Sequence, residues 1–263
     1  MSDLELSLEL RDGEMALRAS EGDPQITCVE TVRQALSAAR DHEVTDKSGT
    51  RHVLRLSLTL GETGSPDGEL GTALAESDST GAQHTPADET EHGVEFKGFP
   101  KKRLSTDQAH AVWAGLREGL PQTGPVAGFP LGCLTAVLRQ VEVVAGSPTV
   151  EMYREAARQV AEKMTAKANW KVLEPFAQVI VSVDSAKVSE VQKVLVRRGG
   201  EGEIHPDTSS TELVFRMPMR QTFGIKAEIV EAARGKATCV VAFSHFGDVS
   251  AENLKVLTAS VKK

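Results

Sequence analysis

Between Ala177 and Phe243 the sequence changes period in an order that few folds satisfy. Ala177–Val183 alternates as a strand, and Ser185–Arg198 has helical spacing up to Gly199-Gly200. Glu201–His205 and Glu212–Met217 read as two further strands. Gly224–Ala233 is helical up to Gly235, and Ala237–Phe243 is a strand again. The resulting β-α-β-β-α-β order predicts a ferredoxin-like split βαβ domain over residues 173–246. That architecture hosts many activities, so it fixes a shape and leaves the function open.

Upstream the pattern is mixed. Leu4–Leu10 alternates with period two, and Asp12-Gly13 turns it into Glu14–Ala19, a predicted hairpin. Pro24–Val29 is extended, and His52–Leu60 alternates as a half-buried strand. Ser105-Thr106-Asp107-Gln108 has capping-box form and opens a helix to about Leu120, with Ala109, Val112, Leu116 and Leu120 on one face. Ser147-Pro148 reads as an N-cap with proline at the first helical position, followed by Met152, Ala156, Val160 and Met164 at helical spacing. The chain as a whole is expected to be α+β.

Its formal net charge of −7 argues against a nucleic-acid partner until the charge is located. Residues 1–100 carry −12 and residues 101–263 carry +5. Much of the acidity lies in residues 61–94, which hold eight Asp/Glu, no Lys or Arg, and many Gly, Ser, Thr and Pro. This composition predicts a disordered insertion. No apolar run is long enough to span a membrane.

Signals for chemistry are absent where they would be specific. There is no P-loop, no HxxxH or HExxH among the seven histidines, and no GxSxG. Cys28, Cys133 and Cys239 are too far apart for a metal knuckle and read as ordinary buried thiols. No catalytic residue, metal ligand or cofactor site is expected in this chain. Two basic features remain. Lys101-Lys102-Arg103 and Arg197-Arg198 fall at loop positions where phosphate contacts are common, although such groups are more often solvated surface charge and a C-capping basic pair on a helix end. Gln221-Thr222-Phe223-Gly224 leads into a helix N-terminus that suits a phosphate, although such a phenylalanine is more often core.

Several short segments, in order, resemble the C-terminal half of the elongation factor G family. Gly22-Asp23-Pro24-Gln25-Ile26-Thr27-Cys28-Val29-Glu30-Thr31-Val32 resembles its GxPQVxYRET segment, and Gly124-Pro125-Val126-Ala127-Gly128-Phe129-Pro130 its GPLxGYP turn. Leu173-Glu174-Pro175 is similar to its LEP, Arg197-Arg198-Gly199 to its RRG, and Phe223-Gly224 through Phe246 to its closing helix and strand. The resemblance implies a remnant of a third domain at 1–28, an S5-like fourth domain at 29–172, a ferredoxin-like fifth domain at 173–246, and a C-terminal tail at 247–263. The family's GTPase and second domains have no counterpart here. GTP and magnesium would belong to that missing part, and the chain is expected to be a fragment, to work with a separate chain, or to act without nucleotide.

Two departures bear on mechanism. Where translocases carry a GGRGQ-type tip loop, this chain has Asp46-Lys47-Ser48-Gly49-Thr50-Arg51, and the second tip loop is shortened to residues 144–149. Cys28 and Val29 also replace the Tyr-Arg of the family segment. The ETVRQ…RHVLRL arrangement and the short second loop are more similar to the mitochondrial ribosome-recycling paralogue. The resemblance thus implies a ribosome-binding module for recycling or subunit splitting, in mitochondria, with the ribosome and rRNA as partners and ribosome recycling factor as a further one. DNA and membrane are not expected as partners. A translocation-type fragment and a non-GTPase ribosome-assembly protein remain alternatives. Tip contacts are expected from Lys47, Ser48, Gly49, Gly146, Ser147 and Pro148, and RNA docking from Arg197, Arg198, Arg220 and Lys226.

Overall fold

The computed structural model describes residues 5–11, 14–20, 27–64, 72, 90–91, 93–97, 104–206 and 210–261. The chain divides into two compact units. The first contains residues 29–172 and the second residues 173–253. Strands β1 (Glu5–Arg11) and β2 (Glu14–Ser20) pair as a two-stranded sheet, as the period-two reading predicts. The Asp12-Gly13 turn lies outside the described residues, as do Lys101–Arg103 and most of the acidic segment.

In the first unit, β3 (Val29–Val32) stands apart from a five-stranded sheet formed by β4 (Leu36–Thr45), β5 (Arg51–Glu62), β6 (Thr90–Glu91), β7 (Val94–Lys97) and β8 (Leu134–Ala145). The strand order is β4-β5-β8-β7-β6, and only β7 and β8 are parallel. Helices α1 (Thr106–Gly119) and α2 (Val150–Thr165) share a core with this sheet. Leu54, Leu56 and Leu58 of β5 alternate into that core and are buried, each worth roughly 2 kcal/mol in area removed from water. Strands β4 and β8 carry no clean period-two signal, because β4 is largely exposed and β8 is buried on both faces over Leu134–Leu138, whereas the short β7 alternates, with Val94 and Phe96 buried.

The predicted capping box on α1 is present. Ser105 N donates to Gln108 Oε1 at 2.9 Å, and Gln108 N donates to Ser105 Oγ at 3.3 Å. The buried face differs in part from the expected one. Trp113 and Gly115 lie inside with Val112 and Leu116, while Ala109 and Leu120 are only half-buried. The predicted start of α2 is corrected: Thr149 is the N-cap, and Ser147-Pro148 stay in the preceding loop. Gly146, at φ +71°, turns the chain there, and the Ser147 amide donates to His52 Nδ1 instead of beginning a helix.

The acidic insertion is trimmed at both ends. Gly61 and Glu62 continue β5, with Gly61 paired to Thr135, and Val94 is a buried residue of β7. The extended stretch read as Pro24–Val29 has its observed strand later, at β3, and Pro24–Ile26 lie outside the described residues.

The second unit has the predicted order. Its strands are β9 (Trp170–Val183, Leu173 onward in this unit), β10 (Glu201–Pro206), β11 (Thr211–Pro218) and β12 (Ala237–Asp248), arranged β10-β11-β9-β12 and all antiparallel. Helices α3 (Val188–Arg197) and α4 (Ile225–Ala232) bury Val191, Leu195, Ile225 and Ile229 with Val179, Val181, Leu213 and Phe215 of the sheet. Asp184 accepts the Ala186 amide at 2.9 Å and makes Ser185–Lys187 a single 3₁₀ turn, so α3 begins later than its apolar spacing suggests. Gly199, at φ +73°, ends α3 as expected, with the Gly200 amide returning to Leu195 O. The residues read as a tail are not one. β12 runs to Asp248, and α5 (Ala251–Val261) follows it. Among the described helices none is long and apolar enough to cross a membrane.

Candidate functional site

The most sharply built surface of the first unit is the end where β4 turns into β5 and β8 leads towards α2. Asp46 organises the first loop. Its Oδ1 accepts from Ser48 N at 2.9 Å, Ser48 Oγ at 2.6 Å and Thr50 N at 2.9 Å. These bonds, that of Ser48 Oγ foremost, hold its carboxyl well below the usual carboxylate range. Asp46 N and Gly49 N close the backbone of the turn on Thr50 O and Asp46 O, with Gly49 at φ +83°. Lys47, Ser48 and Gly49 therefore project from a rigid turn, and all three are exposed. Arg51, expected in the loop, is instead the first residue of β5 and pairs with Glu43.

The second loop lies beside it, because β5 and β8 pair up to Val53 and Ala145. Gly146 and Ser147 are exposed and Pro148 half-buried. The six predicted tip residues thus share one end of the sheet. The charges near them are mostly matched within the unit: Arg51 with Glu43 at 2.6 Å, and Arg55 with Asp41 at 2.7 Å and Glu142 at 3.7 Å. Among the described residues Lys47 makes no ion pair. Val44, Val143, Val144 and Val150 are 38–47% exposed around these loops. This end is rigid, nearly neutral and partly apolar.

The four basic residues expected to dock RNA all lie in the second unit, but they are not equivalent. Arg198 donates to Phe223 O at 2.7 Å and Gln221 O at 3.0 Å, and also pairs with Glu228, leaving its side chain 22% exposed. It clamps the loop that begins α4. Arg220 pairs at 3.3 Å with Glu174, whose side chain is 4% exposed; burial pushes the Glu174 carboxyl up while Arg220 pulls it down. Arg198 and Arg220 are therefore spent on internal contacts. Arg197 pairs with Glu228 at 2.7 Å yet keeps 69% of its side chain exposed, and Lys226 is exposed on the first turn of α4. Hydrogen bonds from Arg198 and then Arg197 lower the Glu228 carboxyl, so it stays ionised as their counter-charge.

Two residues with a positioning role, His52 and Glu30, lie in family-like segments but are not singled out by the sequence as site residues. His52 sits between the tip loops. Glu30 is fully buried, and its carboxylate accepts the amides of Val126 at 2.7 Å, Ala127 at 2.8 Å and Phe129 at 3.1 Å. The Glu-Thr pair and the Gly-Pro turn, both quoted above as family-like, meet through these bonds. Gly124 in that turn has no room for a side chain, since a Cβ would sit 2.1 Å from Glu30 Cδ. For His52 the available signals are its place in the family-like RHVLRL segment and an aspartate six residues upstream in a turn-forming sequence.

The three cysteines are not activated as nucleophiles. Burial raises the thiols of Cys28 and Cys133 to about 11, and Cys239 is raised by the same cause. Among the described residues no cluster of three or more His, Cys, Asp or Glu is placed to hold a metal. The arrangement offers two contact surfaces, a stiff tip on the first unit and an exposed cationic corner on the second.

Residues 171–257 match the family described as Elongation factor G C-terminus. Across both units, a crystal structure of a protein from Thermus thermophilus has a similar fold, with a TM-score of 0.60 and 15% identity. The match covers 94% of this chain and 33% of that one, so the chain spans about a third of the length of this neighbour. The second unit is thus the part of the chain that is similar in sequence to the Elongation factor G C-terminus family.

Proposed function

We propose that this chain is a ribosome-binding module of the elongation factor G type, which acts by contact and shape. The observation that carries the reading is the sequence match over residues 171–257, on a unit that presents Arg197 and Lys226 at its surface. The second unit would dock on rRNA through phosphate contacts from these two cations and through its shape. The tip of the first unit would press on a partner or on the subunit interface. Its near-neutral, partly apolar character suits that better than guiding a phosphate backbone, and so favours recycling or subunit splitting over translocation. Ribosome recycling factor as a partner and a mitochondrial setting belong to the same reading and rest on the resemblance to the recycling paralogue. Any GTP and magnesium would be held by a domain outside these residues.

Co-sedimentation of the full chain with ribosomes tests the docking surface. Wild-type binding is expected to weaken steeply with salt. Arg197→Glu with Lys226→Glu should lower affinity by about ten-fold or more and flatten the slope of log K against log salt by about 2. Unchanged affinity and slope in the double variant would remove these cations from the interface.

A further inference from the structure

We propose that His52 is the positioning residue of the tip, its imidazole locking the loop at residues 146–149 to the loop at residues 46–50. The Ser147 amide lies 3.0 Å from Nδ1. A backbone N–H only donates, so Nδ1 is the bare, accepting nitrogen, and in the neutral ring Nε2 then carries the hydrogen. That hydrogen faces Asp46 Oδ2 at 3.3 Å, an acceptor on an ionised carboxylate. The other Asp46 oxygen is fixed by Ser48 and Thr50, so the ring is held against a carboxylate that the first loop has already oriented.

The second loop is shaped to the same ring. A Cβ on Gly146 would lie 2.5 Å from His52 Nδ1 and 2.7 Å from Arg51 O, and this glycine is at φ +71°. Among the described residues no backbone hydrogen bond joins the two loops beyond the last strand pair, Val53 with Ala145. The His52 ring is 15% exposed and therefore sits under the loops rather than on them. It touches no partner itself; it sets the spacing of Lys47, Ser48 and Gly49 relative to Gly146, Ser147 and Pro148.

That this surface meets the ribosome rests on the function proposed above, whereas the brace does not. Both are separable in one set of full-length, ¹⁵N-labelled proteins. The wild-type ring should show the nitrogen shifts of a bare Nδ1 and a protonated Nε2. His52→Ala should speed hydrogen exchange at the Ser147 amide by about ten-fold or more while leaving Leu138, inside β8, unchanged. His52→Gln, with one acceptor and one donor on its amide, should restore much of the protection. Gly146→Ala, which crowds the ring from the opposite side, should expose the same amide even if His52→Ala fails to fold. A wild-type ring protonated at Nδ1, or Ser147 exchange within about two-fold of wild type in both His52→Ala and Gly146→Ala, would overturn the brace. Failure of the wild-type chain to sediment with ribosomes would instead overturn the ribosomal reading, and the exchange result would stand.

Discussion

Replacing Glu30 with alanine is expected to lower the stability of the first unit by about 3 kcal/mol, from the loss of three charge-assisted hydrogen bonds. The carboxylate is fully buried, and it alone accepts the amides of Val126, Ala127 and Phe129. Truncation strands these donors and leaves a void beside Gly124, which is packed against the same side chain. Water reaches part of the turn, since Val126 is exposed, and this keeps the loss below the sum of three isolated bonds. Glu30→Gln separates charge from shape. One amide oxygen can still accept from Ala127 and Phe129, but the NH₂ group then faces the Val126 N–H, donor against donor, and an intermediate loss of about 1–2 kcal/mol is expected. Both tryptophans of the chain, Trp113 and Trp170, lie in the first unit, so denaturant unfolding followed by their fluorescence reads this unit directly. A loss within about 1 kcal/mol of zero for Glu30→Ala would mean that the turn is held by its backbone alone.

The same residue shows what was legible in the sequence and what was not. Periodicity identified the second unit almost element by element, because its strands alternate between a buried helix-facing side and a half-exposed side: Val179, Val181 and Val183 against Gln178, Ile180 and Ser182. It missed β4 and β8, whose faces are not divided in that way. It misplaced the start of α2 because Ser147-Pro148 satisfies the local rule for a helix start while a distant ring, on His52, takes the Ser147 amide. Short motifs located the tip loops correctly along the chain, but spacing carries no information on which cations face solvent. Arg197 and Arg198 are neighbours in sequence, yet one projects from the surface and the other turns inward to Phe223 O and Gln221 O. Glu30 with the Gly124–Pro130 turn, Arg198 with Phe223-Gly224, and Glu174 with Arg220 are each pairs of distant segments joined by a buried or half-buried polar contact. Much of the family-like sequence therefore reports how each unit is held together internally, and less of it reports what the units bind.

Gly115→Val is expected to have an effect at least as large, for a reason opposite to that at Glu30: it adds atoms where none fit. Glycine in a helix interior costs about 1 kcal/mol relative to alanine, so propensity alone predicts that Gly115→Ala stabilises α1. The packing reverses that sign. A Cβ on Gly115 would lie 1.9 Å from Arg154 O, and one on Gly119, a turn later, 2.3 Å from Arg158 O. Both obstacles are main-chain carbonyls of α2, which cannot rotate away as a side-chain tip would. The two glycines let α1 and α2 approach at backbone contact, and the approach also seats Ala157 and Ala161 of α2 in the core. Accommodating a side chain at Gly115 requires the helices to separate, which opens voids along that seam. A loss of about 3 kcal/mol is expected for Gly115→Ala and more for Gly115→Val. On tryptophan fluorescence the unfolding midpoint of the first unit should fall by roughly 6–12 °C for alanine. An alanine variant as stable as the wild type would show that the helices have slack at this crossing, and the tip mounted on α2 would then rest on a softer base than the structure describes.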